Sequence, residues 1–532
     1  MTSFARACGL PALSFLAVLQ AATFNVRDYG AKGDGSSKDT AAVQKAIDAA
    51  AGQGGGTVWV PAGKYLCGTI HLKSNVTLHL DNGSAILAST DNGDFDPYET
   101  LPFKSVSDNE TTFFHYGLLV AENAHNIAIT GQGIVDGNRP KRRGPKTVSI
   151  KNCQYVTIRG ITVQNSPNYS ISFWGSDYVD IDGVTILNGY ADGIDPDASR
   201  YVRISNCYID CWDDAICPKA SPSMGMDQRR NVEHLVVTNC VTRTNCSNFK
   251  FGTESSWDLK DVTVSNITMM PRDKGRPPIS GISLEAVDGA RINGVAISNI
   301  SMVDVTTPIF VRLGNRGRGM NPPTPGSVEN VSFNNIVARS ARMTSSVTGI
   351  PGYLARRVAL SNILITMEGG NQDPKGLDVP ENVAKYPEGT MFGILPAFGL
   401  YARHAEGVAL SNVQLRWDKE DLRPAMIFDD VKDLTIDGFH TDTVAGASPV
   451  VWVHNVVDAF IRGSRTAAAQ VFLRASGTES QRILLTGNDL TRVTRRVEIQ
   501  DAPKSAVQEV GNAVSAALNR AAKRGSLGGK KQ

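Results

Sequence analysis

Residues 153–210 read CQYVTIRGITVQNSPNYSISFWGSDYVDIDGVTILNGYADGIDPDASRYVRISNCYID. One phrase returns three times, as Val156-Thr157-Ile158, Val179-Asp180-Ile181 and Val202-Arg203-Ile204, at two intervals of 23 residues. Apolar residues alternating with polar ones mark a short strand with one buried face. A period near 23 is too short for a strand-helix-strand crossover of about 30 residues. It fits one coil of a parallel β-solenoid, in which each coil stacks on the last and shares its core ladder. The expected fold is therefore all-β, a parallel β-solenoid.

The phrase continues as Leu235-Val236-Val237, Val262-Thr263-Val264, Val295-Ala296-Ile297, Val331-Ser332-Phe333, Val358-Ala359-Leu360, Val408-Ala409-Leu410 and Leu434-Thr435-Ile436. Its longer intervals predict loops inserted between strands, notably at 218–231 and 364–407, where solenoids build binding faces. Upstream, Asp39–Ala51 sets Val43, Ala46, Ile47 and Ala50 on one helical face and is followed by Gly52 and Gly54–Gly56. That pattern predicts an amphipathic helix capping the N-terminal end of the core.

The chain has 532 residues, 41% hydrophobic and 20% charged, with a net charge of +2. The charge is uneven: residues 503–532 carry +5, and the body is acidic. A nucleic-acid binder with a basic body is excluded. Arg6 followed by the apolar run Gly9–Leu19 and by Ala21 and Ala22 predicts a secretory signal over 1–22. No later run is long enough to span a bilayer, so the expected mature protein is secreted or periplasmic, free of membrane and monomeric. The domain expectation is a signal at 1–22, a solenoid over 23–502 and a flexible basic tail at 503–532. Of eight cysteines, Cys207 and Cys240 fall on the core ladder, and one disulfide among Cys211, Cys217 and Cys246 is allowed. No ligand spacing marks a zinc site, and neither metal nor cofactor is expected.

The chemistry points to three carboxylates. Asp192 lies 13 residues after Val179, and Asp213 and Asp214 lie 11 and 12 after Val202, so all three stack on neighbouring coils about 4.8 Å apart. Like charges at that spacing cannot all ionise freely, which sets a protonated acid beside an ionised base. Such a pair hydrolyses glycosidic bonds. The same cluster also suits calcium. Asp195 and Asp197 read as turn residues.

At these residues the chain resembles glycoside hydrolase family 28, the polygalacturonase family. The resemblance begins at FNVRDYGAKGDGSSKDT from Phe24 and GGGTVWVPAGKY from Gly54, and runs to about residue 340. The family's N-T-D motif falls on Tyr190-Ala191-Asp192 and its D-D pair on Asp213-Asp214. Lys219 holds a lysine position common after that pair. The resemblance implies a right-handed parallel β-helix and a single-displacement, inverting hydrolase of pectic glycan, polygalacturonan or rhamnogalacturonan in type. It makes Asp213 the general acid, with Asp192 and Asp214 handling the water. Two family motifs are lost. The G-H-G histidine is Ser247, and R-I-K has become Ser283-Leu284-Glu285.

Replacement substrate contacts are expected from Lys250, Arg312, Glu254, Glu285 and Lys219, with Arg316 and Arg318 as weaker candidates. Trp174, Tyr190, Trp212 and Trp257 offer sugar-stacking rings. Two other readings stay open. One is a calcium-dependent lyase with Lys250 or Arg243 as base. The other is a glycan-binding solenoid without catalysis.

Overall fold

The computed structural model describes residues 22–515 apart from Ala445 and Ser448. The expected signal segment, except Ala22, and residues 516–532 of the expected tail lie outside the described residues.

The repeated phrases form one continuous parallel ladder. Val156 pairs with Val179, Val179 with Val202 and Val202 with Leu235, and the line runs on through Val262, Val295, Val331, Val358, Val408 and Leu434. Each of these residues is buried, and each such aliphatic side chain stabilises the fold by about 1.5–3 kcal/mol. The neighbouring turn is a column of asparagines. Asn239, Asn266, Asn299 and Asn335 adopt left-handed φ of 54–57°, and each amide donates to the one before it. Asparagine tolerates that backbone region better than other side chains.

The helix Thr40–Gly52 covers the N-terminal end and buries Val43, Ala46, Ile47 and Ala50, the four residues expected. At the other end the solenoid passes the expected limit at 502. Ile483 pairs with Val507 and Leu490 with Val514, so strands Val507–Val510 and Ala513–Val514 carry the ladder into the start of that segment. All seven described cysteines are free, and the allowed disulfide is not formed. Cys211 instead donates to the carbonyls of Asp213 and Asp214, and Cys217 to the Asp214 carboxylate.

A second parallel sheet forms the floor of the functional face. Its strands include Lys146–Lys151, Ile171–Trp174 and Ile194–Asp197, and Ser247–Phe251, Ser280–Ala286 and Thr307–Leu313 of the main sheet continue its line. Single bridges join Ile194 to Ile216, Ile216 to Phe249, and Asp197 to Lys219. One set of residues, including Ile194, Phe249, Ile282 and Leu284, enters the core. The alternate ones, Asp195, Lys250, Ser283 and Glu285, face away from it, beneath loops. This corrects the reading of Asp195 and Asp197: they are buried strand residues, not turn residues.

Candidate active site

The three carboxylates meet because the backbones of successive coils are locked together where they leave the strands. Gly193 N–H donates to the Asp214 carbonyl, and Ala215 N–H to the Ser247 carbonyl. A Cβ at Gly193 would stand 2.4 Å from the Ala215 carbonyl oxygen, so only glycine permits this approach. Carboxylate oxygens of Asp192 and Asp214 lie within 4.8 Å of each other, as do those of Asp213 and Asp214.

Two buried ammonium groups hold this cluster. Lys219 Nζ lies 3.0 Å from Asp192 Oδ2, 2.6 Å from Asp195 Oδ1 and 3.0 Å from the Tyr169 hydroxyl. Its stem runs where Gly252 has no side chain; a Cβ there would meet Lys219 Cγ at 2.5 Å. Lys250 Nζ lies 3.1 Å from Asp214 Oδ2 and donates to the Tyr386 hydroxyl at 3.3 Å. The other Asp214 oxygen accepts from Ser247 N–H at 3.0 Å, at the position of the lost histidine. Asp213 is the most open of the three. Its Oδ2 accepts from Arg142 at 2.5 Å and its Oδ1 from Asp214 N–H at 3.1 Å.

Together these groups line a cavity of about 110 Å³, completed by Asp108, Glu110, Gly252, Glu254 and Tyr386. Burial pushes Asp192 well above the ordinary carboxylate range, and the neighbouring Asp195 adds to it. Burial also lifts Asp195 to about 6 against the pull of Lys219, and Asp197 to about 7. Asp213 goes the other way. Burial would raise it, but Arg142 and Lys250 outweigh that and hold it below its usual value. The directions are opposite: burial favours the protonated form of Asp192, and the two cations favour the ionised form of Asp213.

Of the expected contacts, Lys219, Lys250 and Glu254 line the cavity, and two do not. Arg312 is 1% exposed and is turned into the protein, donating to the carbonyls of Gly349 and Glu381. It pins the long 370–399 insertion instead of meeting solvent. Glu285 is 1% exposed beneath Lys250, 4.0 Å from Nζ, with one oxygen bonded to Ser283. Arg316 and Arg318 both bind Asp288, and Arg318 also approaches Glu254 at 3.6 Å. Arg243 is engaged with Tyr208 and Asp210. None of Trp174, Tyr190, Trp212 and Trp257 lines the cavity.

Burial lifts Glu285 to about 8, against the pull of Lys250. A folded-state value above the unfolded one stabilises the protein at low pH, and that gain is lost as pH rises toward 8. Glu285→Gln is therefore expected to be near neutral at pH 5 and stabilising above pH 8. Unfolding midpoints measured at both pH values check this; an equal difference at the two would contradict it.

Among the cavity residues that escape sequence reasoning are Glu110, Arg142, Tyr169 and Tyr386. Tyr169 alone had a usable signal, since it stands 23 residues before Asp192. The others come from loops with no periodicity to fix their register.

The family model for Glycosyl hydrolases family 28 matches residues 56–383. A probable polygalacturonase of Vitis vinifera is 25% identical over 383 residues, covering 67% of this chain and 77% of that protein. A polygalacturonase of Ralstonia nicotianae is 24% identical over 424 residues, covering 64% and 76%. The solved structure of a hyperthermoactive exopolygalacturonase from Thermotoga maritima superposes with a TM-score of 0.59 at 20% identity, covering 74% of this chain and 91% of that one. That likeness shows the β-helix fold.

Proposed function

The chain belongs to glycosyl hydrolase family 28, and from that premise we propose that it hydrolyses pectic glycan by a single, inverting displacement. The observation that carries this reading is the convergence of Asp192, Asp213 and Asp214 with two buried lysines in one small cavity. Asp213, on the open side, protonates the leaving glycosidic oxygen. Asp192 and Asp214 orient a water, and Asp214 takes its proton as the anomeric carbon is attacked from the opposite face. Lys219 and Lys250 carry fixed positive charge beside the sugar, where the family's histidine and two basic residues are missing.

The donor set favours hydrolysis over calcium-dependent elimination. The Asp192 and Asp214 oxygens that a calcium ion would need are already bonded to ammonium groups. Tyr386, on the 370–399 insertion, lines the cavity beside Lys250, and an insertion at that edge of the groove favours attack from a chain end. Export is part of the same proposal and rests on the Arg6–Ala22 segment.

The test is digestion of polygalacturonate, rhamnogalacturonan and their oligomers, with anomers followed by proton resonance and product sizes by chromatography. The expected result is a new reducing end of inverted configuration, released as short products from the outset. A product with a double bond absorbing in the ultraviolet would establish elimination instead. Affinity with no bond cleavage would leave only the binding solenoid.

A further inference from the structure

Arg142 lies in none of the motifs, yet its guanidinium touches the proposed acid. Nη1 donates to Asp213 Oδ2 at 2.5 Å, while Nε and Nη2 grip Glu110 at 3.1 and 2.5 Å. Three of its five N–H groups are so used. The side chain is 42% exposed, unlike Lys219 and Lys250, which are 3% and 4% exposed. With Glu110 and Asp108 it stands on the boundary between the small cavity and a larger one of about 650 Å³, which Arg143 and Asn168 also line. A guanidinium on an exposed loop, held only by carboxylates, exchanges one carboxylate for another at little cost.

This arrangement conflicts with the role given to Asp213. A general acid must carry its proton when the substrate binds, and here the Arg142 ion pair favours the ionised form. The conflict disappears if the substrate itself moves the guanidinium. Resting on the hydrolase reading above, we propose that Arg142 receives a carboxylate of the incoming glycan and, by leaving Asp213, switches that residue into its proton-donating form. As the complex forms, Asp213 takes up one proton from solvent. It passes that proton to the glycosidic oxygen as the C–O bond breaks, and the water's proton goes to Asp214.

The other groups around Asp213 are Asp214, Lys250, Cys211, Cys246, Asp192 and Glu388. Lys250 is bonded to Asp214 and Tyr386, so Arg142 is the one cation directly bonded to Asp213 among the described residues. The proposal makes Arg142 a specificity residue and a positioning residue for the acid. It also explains how a family member without the usual cations would still select an acidic sugar.

The test compares oligogalacturonates with their methyl esters, which keep the sugar and remove the charge, on wild-type enzyme, Arg142→Gln and Arg142→Lys. In wild type the basic limb of kcat, which reports the complex, should lie at least one pH unit above that of kcat/KM, which reports free enzyme. For Arg142→Gln both limbs should coincide at the higher pH. The variant should lose at least tenfold of its preference for acid over ester, and Arg142→Lys should restore part of it. A raised KM with unmoved pH limbs would overturn the switch, and so would unchanged preference. If wild-type enzyme cleaves neither substrate, it is the hydrolase reading that fails, and the two failures are thereby distinguished.

Discussion

Asp213→Asn is expected to lower kcat on oligogalacturonate by about 10³-fold, within the range that loss of a positioned acid produces. The substitution keeps volume and shape. Its amide oxygen can still accept the Asp214 N–H that Asp213 Oδ1 now accepts at 3.1 Å, so the turn between the coils should hold. What goes is the dissociable proton and the ion pair to Arg142. That pair is partly exposed, with side chains 42% and 26% accessible, and such pairs stabilise a fold by about 1 kcal/mol or less. The unfolding midpoint and the affinity for an oligomer should therefore change little while turnover collapses. Measuring all three on one preparation separates chemistry from folding. Turnover within tenfold of wild type would remove Asp213 from the acid's role, and a matching collapse of stability would make the loss uninformative without Asp213→Glu as a second variant. A longer carboxylate that recovers no activity, in a folded protein, would count against the acid assignment.

The contrast between Asp213 and Arg142 shows where sequence reading reaches its limit. Asp192, Asp213 and Asp214 were legible because a strand ladder of fixed period carries them. Once Val179 and Val202 are seen to stack, the distance from each to the next turn places its carboxylate on a common face. Cys207 and Cys240 were legible as core filler for the same reason, and both are 2% exposed. Asp195 and Asp197 were misread because the general preference of aspartate for turns was applied to a strand. The alternation in Ile194-Asp195-Pro196-Asp197, facing Ile171-Ser172-Phe173-Trp174 one coil earlier, was the better signal. Arg312 sits correctly on an outward strand position, paired with Glu285, but nothing in its neighbours announces that the 370–399 insertion folds over it. Arg142 and Tyr386 reach the cavity from such loops. Their partners are Asp213, 71 residues away, and Lys250, 136 residues away, at separations no period relates.

Lys219→Met should produce the largest stability defect of any single substitution in the site. Lys219 is 3% exposed and bonds two carboxylates that are themselves 5% and 1% exposed. Removing one partner from a buried ion pair costs about 3–5 kcal/mol, because the other charge is left without compensation. Two carboxylates are left here, and they can relieve the cost only by taking up protons. Burial already holds Asp195 at about 6 and Asp192 well above the ordinary carboxylate range with the lysine present. Without it, both folded-state values rise further above those of the unfolded chain. Groups raised in this way stabilise the fold below their unfolded value and lose that contribution as pH climbs through the folded one. The defect of Lys219→Met should therefore be small near pH 4 and greatest at pH 8, when unfolding midpoints of variant and wild type are compared across that range. Adding Asp195→Asn should recover much of the loss at pH 8, since a neutral amide then faces Asp192 in place of a second charge, and the coupling between the two substitutions measures the pair directly. A defect of equal size at both pH values, untouched by the second substitution, would show that Lys219 acts by packing alone and that the Asp192–Asp195 pair does not depend on its charge.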